Sequence, residues 1–312
     1  MGMQITEKSK KNLQSELLPE VTRKSKLYAK EHRTAYLFIL APVLGFLIFI
    51  VGPAIYSLYG SFTDWNGLGQ MNFIGLDNYT QMLTEERFWK AGYNTIFMMI
   101  GIPIGLFLAL LLAMGLNKGI KGTNAFRVIY YIPVVSSLAA VSILWQWVYN
   151  GDFGLLNQVL ELIGIKGPNW LQNVKTIKPA IMIMAIWKGL GYSMLLYLAA
   201  LQNVSKTYYE AARIDGANSF QCFKSITIPM VRPVTFFMLV TSIIGGAQMF
   251  IEQSIMTVDG GPMYSAGTMV YYLWQKSFGN FQMGYASAIA WTLGVFVLLV
   301  TLLQFKINDK YE

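Results

Sequence analysis

The chain has one cysteine, Cys222, and one histidine, His32, among 312 residues. A single thiol cannot close a disulfide within the chain, and a single imidazole excludes multi-histidine metal sites. No metal site is expected. Charge is scarce too: Asp, Glu, Lys and Arg make up 13% of the residues, about half the roughly 25% of soluble domains. So few charges would barely cover a soluble surface. A nucleic-acid binder would be rich in basic residues on one face, so no nucleic-acid partner is expected. The chain also lacks a G-x-x-x-x-G-K-[ST] phosphate loop, an H-E-x-x-H helix and a G-x-S-x-G elbow. The acids Asp64, Asp77, Glu85, Glu86 and Asp152 are scattered over loops and form no convincing catalytic cluster. The chain therefore reads as a non-enzyme: a transporter, a channel or a scaffold.

What is present is apolar length. Hydrophobic types make up 54% of the chain. Nearly charge-free runs long enough for a bilayer-spanning helix occupy 35–59, 94–116, 128–149, 179–201, 233–256 and 285–305. The fourth run carries Lys188 and the fifth Glu252. The first run lacks the short core and cleavage site of a signal peptide. The expectation is an all-α membrane protein with six transmembrane helices. Its parts are a basic segment 1–34, a transmembrane domain 35–305 with a long internal loop at 206–230, and a tail 306–312.

The net charge of +8 then has a topological meaning. If the N-terminus is inside, 17 Lys and Arg lie in inner segments and 6 in outer ones. The inner set includes Lys8, Arg23, Arg127, Lys206, Arg213 and Lys306; the outer set is Arg87, Lys90, Lys166, Lys175, Lys178 and Lys276. That bias predicts cytoplasmic N- and C-termini, with the basic N-terminal segment set by topology and contact with anionic membrane lipid. Gly101, Gly105, Ala109 and Ala113 recur every four residues on the second run, and Ala286, Ala290 and Gly294 on the sixth. Such spacing lets helix backbones approach closely, so a packed bundle is expected.

The loop between the fourth and fifth runs is unlike a linker. Tyr208 to Ile214 reads as a short helix stopped by Gly216. A second short helix from Asn218 to Thr227 is expected to end at Pro229. The two helices make a knob whose apolar positions Ala211, Ala212, Ile214, Ala217, Phe220 and Phe223 need a covering partner or a bilayer surface. The stretch Glu210-Ala211-Ala212, three residues, Gly216, nine residues, then Ile226-Thr227-Ile228-Pro229 resembles the EAA loop of binding-protein-dependent ABC importer permeases. The pattern has Leu where this chain has Ile228, an apolar exchange. The resemblance extends along the chain through Phe73-Ile74-Gly75-Leu76-Asp77-Asn78-Tyr79, Asn94-Thr95, Gly260-Gly261-Pro262 and Gly284-Tyr285-Ala286-Ser287-Ala288. These segments are similar to carbohydrate-uptake permeases of the maltose and multiple-sugar type.

The resemblance implies the ABC importer permease fold in the cytoplasmic (inner) membrane of a prokaryote. It implies a second, homologous permease subunit, two ATPase subunits and an extracytoplasmic solute-binding protein as partners, with a carbohydrate as cargo. It implies no cofactor in this chain, ATP and Mg being held by the ATPase. It places ATPase coupling on Glu210, Ala211, Ala212, Asp215, Gly216, Ala217, Ile226 and Pro229, with Glu210 paired to a basic residue of the ATPase. Trp187-Lys188-Gly189-Leu190-Gly191-Tyr192 resembles a W-x-G-x-x-Y segment on the sugar-contacting helix of the maltose-type subunit. That likeness implies pocket positions at Lys188, Gly189 and Tyr192. Gln248 falls near a sugar-contacting stretch in the same subunit, and Glu252 lies four residues on.

Two readings of Lys188 stay open at this stage. It neutralises Glu252 or reaches out to water, or it faces the cavity and meets an acidic sugar. Other readings of the chain are an ABC permease for a polyol phosphate or a peptide, a membrane scaffold or sensor that recruits an ATPase, and an ion-coupled carrier. The last needs a buried relay across inverted repeats, and the sequence offers only Lys188 and Glu252.

Overall fold

The computed structural model describes residues 34–119 and 121–310. His32 and most of the basic N-terminal segment lie outside the described residues. The chain divides into two units, one ending at Tyr59 and one beginning at Gly60.

The described part of the first unit belongs to a helix, α1 (Thr34–Gly60). It contains a π turn at Leu47–Val51 in which the N–H of Gly52 reaches back to the carbonyl of Leu47. Pro53 follows at once and cannot supply its own N–H to the ladder. Its apolar side chains, including Phe38, Phe49 and Ile55, are exposed. An all-round apolar helix of this length suits lipid or another chain as its solvent.

The second unit is helical, and among its described residues pairing of the β type is limited to an isolated bridge between Thr63 and Phe73. A short α2 (Asp77–Thr84) leads into α3 (Glu86–Met99) and α4 (Gly101–Asn117), which run as a single span. Then come α5 (Thr123–Val135), α6 (Leu138–Val148), α7 (Leu155–Leu162) and the long α8 (Ile177–Gln202). After the internal loop, α9 (Lys206–Ile214) and α10 (Ser219–Cys222) precede α11 (Ile228–Ala247). Two short helices, α12 (Ile251–Met256) and α13 (Met269–Trp274), precede α14 (Met283–Asp309). Among the described residues five helices are long and apolar enough to cross a membrane, with a sixth if the bent pair of α5 and α6 is read as one span.

The centre of the bundle is the α4–α8 contact. Ala109 and Ala113 are fully buried against a cluster that includes Met194, Tyr197 and Leu198. The small-residue stripe of the second run is therefore a packing face. On the sixth run Ala286 is buried, whereas a Cβ on Gly294 would meet nothing.

Two spans differ from their expected form. The third run bends by 101° between α5 and α6. Pro133 lies inside α5, and Ser136 beyond its end is extended, so the helix cannot continue. The fifth run ends at Ala247 rather than 256, and the chain restarts as α12. Gly245 and Gly246 lower the helix propensity there. The Thr268 hydroxyl accommodates the break by donating to the Met249 carbonyl at 2.6 Å.

The guanidinium of Arg232, near the start of α11, donates to the Asn308 carbonyl at 3.3 Å. The internal loop and the end of α14 thus share one end of the bundle. Glu85, α13 and the start of α14 meet at the other end, where Lys276 and Tyr285 both reach the Glu85 carboxylate.

Candidate functional site

At the end that carries the C-terminus, α9 and α10 form a projecting knob whose turn is written into the sequence. Ser205 caps α9 by accepting from the Thr207 N–H. Gly216 adopts the left-handed φ of 81° that glycine tolerates best. Its N–H donates to the Arg213 carbonyl and that of Ala217 to Ala212, a Schellman closure. Asn218 then starts α10 with a capping box. Its side chain accepts from the Gln221 N–H at 2.9 Å, and the Gln221 side chain accepts from the Asn218 N–H at 2.7 Å.

Pro229 does not end this second helix as expected. A π turn at Phe223–Thr227 carries α10 straight into α11, and the widened turn accommodates the proline near the helix start. The Tyr209 hydroxyl lies 3.0 Å from that of Thr227 and fastens α9 to the π turn. Ile214 is 87% exposed and Phe220 69% exposed. Glu210, Ala211, Asp215 and Pro229 are exposed, while Ala212, Ala217 and Ile226 are half-buried. The Glu210 carboxylate has no hydrogen bond or ion pair among the described residues. The knob is thus a rigid shape with a free acid and bare apolar side chains.

Midway along the bundle, α4, α8 and the end of α11 enclose a cavity of about 260 Å³. Gly101, Gly105, Gly189, Gly245 and Gly246 form much of its wall, with the hydroxyls of Ser193 and Ser242. Glu252 is the charged residue of the lining, and it is buried. An adjoining cavity is lined by Gln248, Glu252, Leu138 and Phe250. The helix break after Ala247 removes Gln248 and Glu252 from a common helix, yet the two residues still share a cavity.

Of the residues expected in a pocket, Gly189, Gln248 and Glu252 line these two cavities, and Lys188 and Tyr192 line neither. Tyr192 is 46% exposed on the flank of α8. Lys188 turns to the broken span, where its ammonium donates to the carbonyls of Pro133 at 3.2 Å and Val134 at 3.3 Å. These carbonyls lie at the C-terminal end of α5, where a cation is favourable. Lys188 makes no ion pair with Glu252 among the described residues. Beside it, a Cβ on Gly191 would collide with the Tyr130 carbonyl, so α8 presses on α5 through that glycine.

Residues 101–311 match the model of the family described as binding-protein-dependent transport system inner membrane component. The chain is 38% identical over 299 residues to the probable ABC transporter permease protein YesP of Bacillus subtilis, covering 94% of this chain and 96% of the relative. It is 34% identical to the arabinooligosaccharides transport system permease protein AraP of the same organism, with 92% of each chain covered. The fold superposes with a TM-score of 0.78 on a chain of a bacterial ABC transporter involved in import of the acidic polysaccharide alginate. That likeness is at 24% identity and covers 95% of this chain and 99% of the other.

The chain belongs to this permease family.

The motifs that carried the resemblance at the far end of the permease prove to be internal fastenings. Asn78 is buried, and its amide donates to the carbonyls of Ser61 at 2.9 Å and Thr63 at 2.8 Å. Asn94, also buried, donates to Tyr264 and Gly267 carbonyls at 2.9 and 3.0 Å and accepts from Lys178 at 3.2 Å. Thr95 accepts from the Met269 N–H at 2.9 Å. A Cβ on Gly284 would strike the Thr63 carbonyl, so only glycine fits there.

Glu85 fastens the same end. Its carboxylate accepts from Lys276 at 2.9 Å and from Tyr285 at 2.7 Å. Burial pushes the Glu85 carboxyl up, but the donors Lys276, Tyr285 and Tyr272 and the Lys276 charge outweigh it and hold it below the usual carboxylate range.

Sequence reasoning missed Tyr209, Glu85 and Gln253. Gln253 is fully buried, and neither side-chain amide atom has a hydrogen-bonding partner among the described residues. Nothing in its local sequence marks it out.

Proposed function

We propose that this permease subunit carries an oligosaccharide across the cytoplasmic membrane of a prokaryote in an ATP-driven importer. In this reading the end bearing the C-terminus is cytoplasmic and the Asn78–Asn94–Glu85 end faces out. A solute-binding protein delivers the sugar to the outer end. The path forms between this chain and a second, homologous permease. Two ATPase subunits, which hold ATP and Mg, dock on the knob.

The observation that carries the reading is the knob itself. A Schellman turn, a capping box and the Tyr209–Thr227 contact fix its shape, while Glu210, Ile214 and Phe220 stay exposed. A free chain gains nothing from ordering such a surface; a partner with a basic residue beside an apolar groove does. Glu210 supplies the charge, and Ile214 and Phe220 supply the apolar anchors. Asp215, Ala211, Ala212, Ala217, Ile226 and Pro229 shape the same surface. Because α10 is continuous with α11 through the π turn, a push on the knob reaches Gly245 and Gly246 at the cavity wall.

The sugar site suits a neutral glycosyl unit. Gly189 lets a ligand approach the α8 backbone, Ser193 and Ser242 offer hydroxyls, and Glu252 accepts hydrogen bonds from sugar hydroxyls. Gln248 adds an amide from the adjoining cavity. Lys188 turns its ammonium to the Pro133 and Val134 carbonyls and lines neither cavity, so no cation stands in their walls. The arabinooligosaccharide relative fits that chemistry.

Proteoliposomes that hold this chain, its partner permease and its ATPase, supplied with the binding protein, test the reading. Uptake of an arabinooligosaccharide or another neutral oligosaccharide should require ATP and stop with Glu210→Lys. Uptake by this chain alone, without ATP, would end the importer reading.

A further inference from the structure

A third cavity, of about 550 Å³, opens at the outer end of the bent span. That volume falls in the roughly 300–1,000 Å³ range of small-molecule sites. Its wall combines the ends of α6 and α12 with the segment before α8. Asp152 and the amides Asn169 and Gln172 line it and are exposed. None of these three side chains has a hydrogen-bonding partner among the described residues. Between them lie apolar atoms of Leu171, Val258 and Pro262.

By contrast, the neighbouring polar groups are already committed. Gln146 donates to the Ile255 carbonyl, Tyr149 to the Ala180 carbonyl, and Asn150 accepts from the N–H groups of Asp152 and Phe153. Those bonds make a fixed frame. The three uncommitted side chains project from it as two amides, each with two N–H donors and a carbonyl acceptor, and a carboxylate acceptor.

We infer that this cavity is a weak glycosyl-binding subsite at the mouth of the path, specific for a neutral sugar unit. A pyranose or furanose ring presents hydroxyls that the amides and the carboxylate can satisfy, and C–H surfaces that match the apolar atoms. No Lys, Arg or His lines the cavity, and the Asp152 carboxylate repels a uronate or a phosphate. The helix α12 joins the two levels. Met256 lines the outer cavity and Glu252 the inner one, four residues apart on one helix face. The inference rests on the sugar-import reading and assigns it a second, outer contact.

The test uses the full chain in lipid nanodiscs, read by tryptophan fluorescence. Trp170, whose ring centroid lies 6.0 Å from that of Tyr149 on the cavity wall, is one of eight tryptophans, and the signal is assigned to it as the part lost in Trp170→Phe. The probes are lactose, arabinobiose and digalacturonate. A saturable change with at least one neutral disaccharide is expected, and none with digalacturonate. The double variant Asn169→Ala, Gln172→Ala should weaken that binding more than about tenfold, and Asp152→Asn should admit digalacturonate. No saturation with either neutral sugar, or equal affinity in the double variant, overturns the subsite. ATP-driven uptake of the same sugars by the assembled importer is read separately. Uptake without outer binding leaves the import reading standing, and outer binding without uptake counts against that reading alone.

Discussion

The two ends of the permease treat their motif residues in opposite ways. At the Glu85 end, Asn78 and Asn94 are buried, and each amide donates to two backbone carbonyls. At the knob, Glu210 is exposed with no partner among the described residues, and Ile214 and Phe220 are bare. A motif residue whose polar atoms are satisfied inside the chain builds the scaffold. A motif residue held in a rigid frame with nothing to touch awaits another molecule. The same distinction sorts Lys188 from Gly189: neighbours in sequence, one is bound to the α5 carbonyls and the other opens on a cavity.

The largest expected effect breaks that comparison at the knob. Glu210→Lys should cut ATP-driven uptake more than about tenfold and leave the unfolding temperature of the purified chain unchanged. A matching loss of stability would put Glu210 in the scaffold instead. Next comes Asn94→Ala, which strands two buried carbonyls and the Lys178 ammonium. A loss of about 2–3 kcal/mol is expected, seen as a lower unfolding temperature in detergent, and an unchanged temperature would erase the difference between the ends.

A smaller effect is expected for Lys188→Met. Removing the cation from the end of α5 should cost about 1 kcal/mol and leave uptake of neutral sugars intact. Selective loss of acidic-sugar uptake would return the ammonium to the path. The smallest effect concerns pH. The Glu85 carboxyl is held below its usual range, so its stabilisation is present above the ordinary carboxylate pKa of about 4.3. It fades as pH falls through the lower folded value. Acidification from pH 6 to pH 3 should therefore lower the unfolding temperature more in the wild type than in Glu85→Gln. Equal shifts would show that the Glu85–Lys276 contact contributes nothing.

Much of this was legible because the signals are local. Gly216 and Asn218 end and start helices by contacts within a few residues, so the sequence pattern reports them directly. Apolar length located five straight spans to within several residues at most ends. The bend at Pro133 and the break after Ala247 were not read, because a search for apolar length counts residues and does not register a change of direction; Pro133 and the pair Gly245 and Gly246 were the signals. Pro229 looked like a stop, and the π turn before it absorbs the ring instead. Lys188 shows why the candidate site was harder. Helical spacing tells which residues share a face, but the carbonyls opposite lie 54 and 55 residues away. Asn94 was visible as part of a motif, yet its partners stand 170 and 173 residues distant. Resemblance marked the position and the structure supplied the reason.

The central claim is that the Glu210–Ile214–Phe220 surface meets an ATPase. Ile214→Cys offers the most direct measurement, because the native Cys222 is buried and Ile214 is 87% exposed. In the assembled importer a short thiol-to-amine cross-linker on the introduced thiol should capture the ATPase subunit. Free labelling of that thiol in the assembled importer, with no cross-link to the ATPase, would contradict the account.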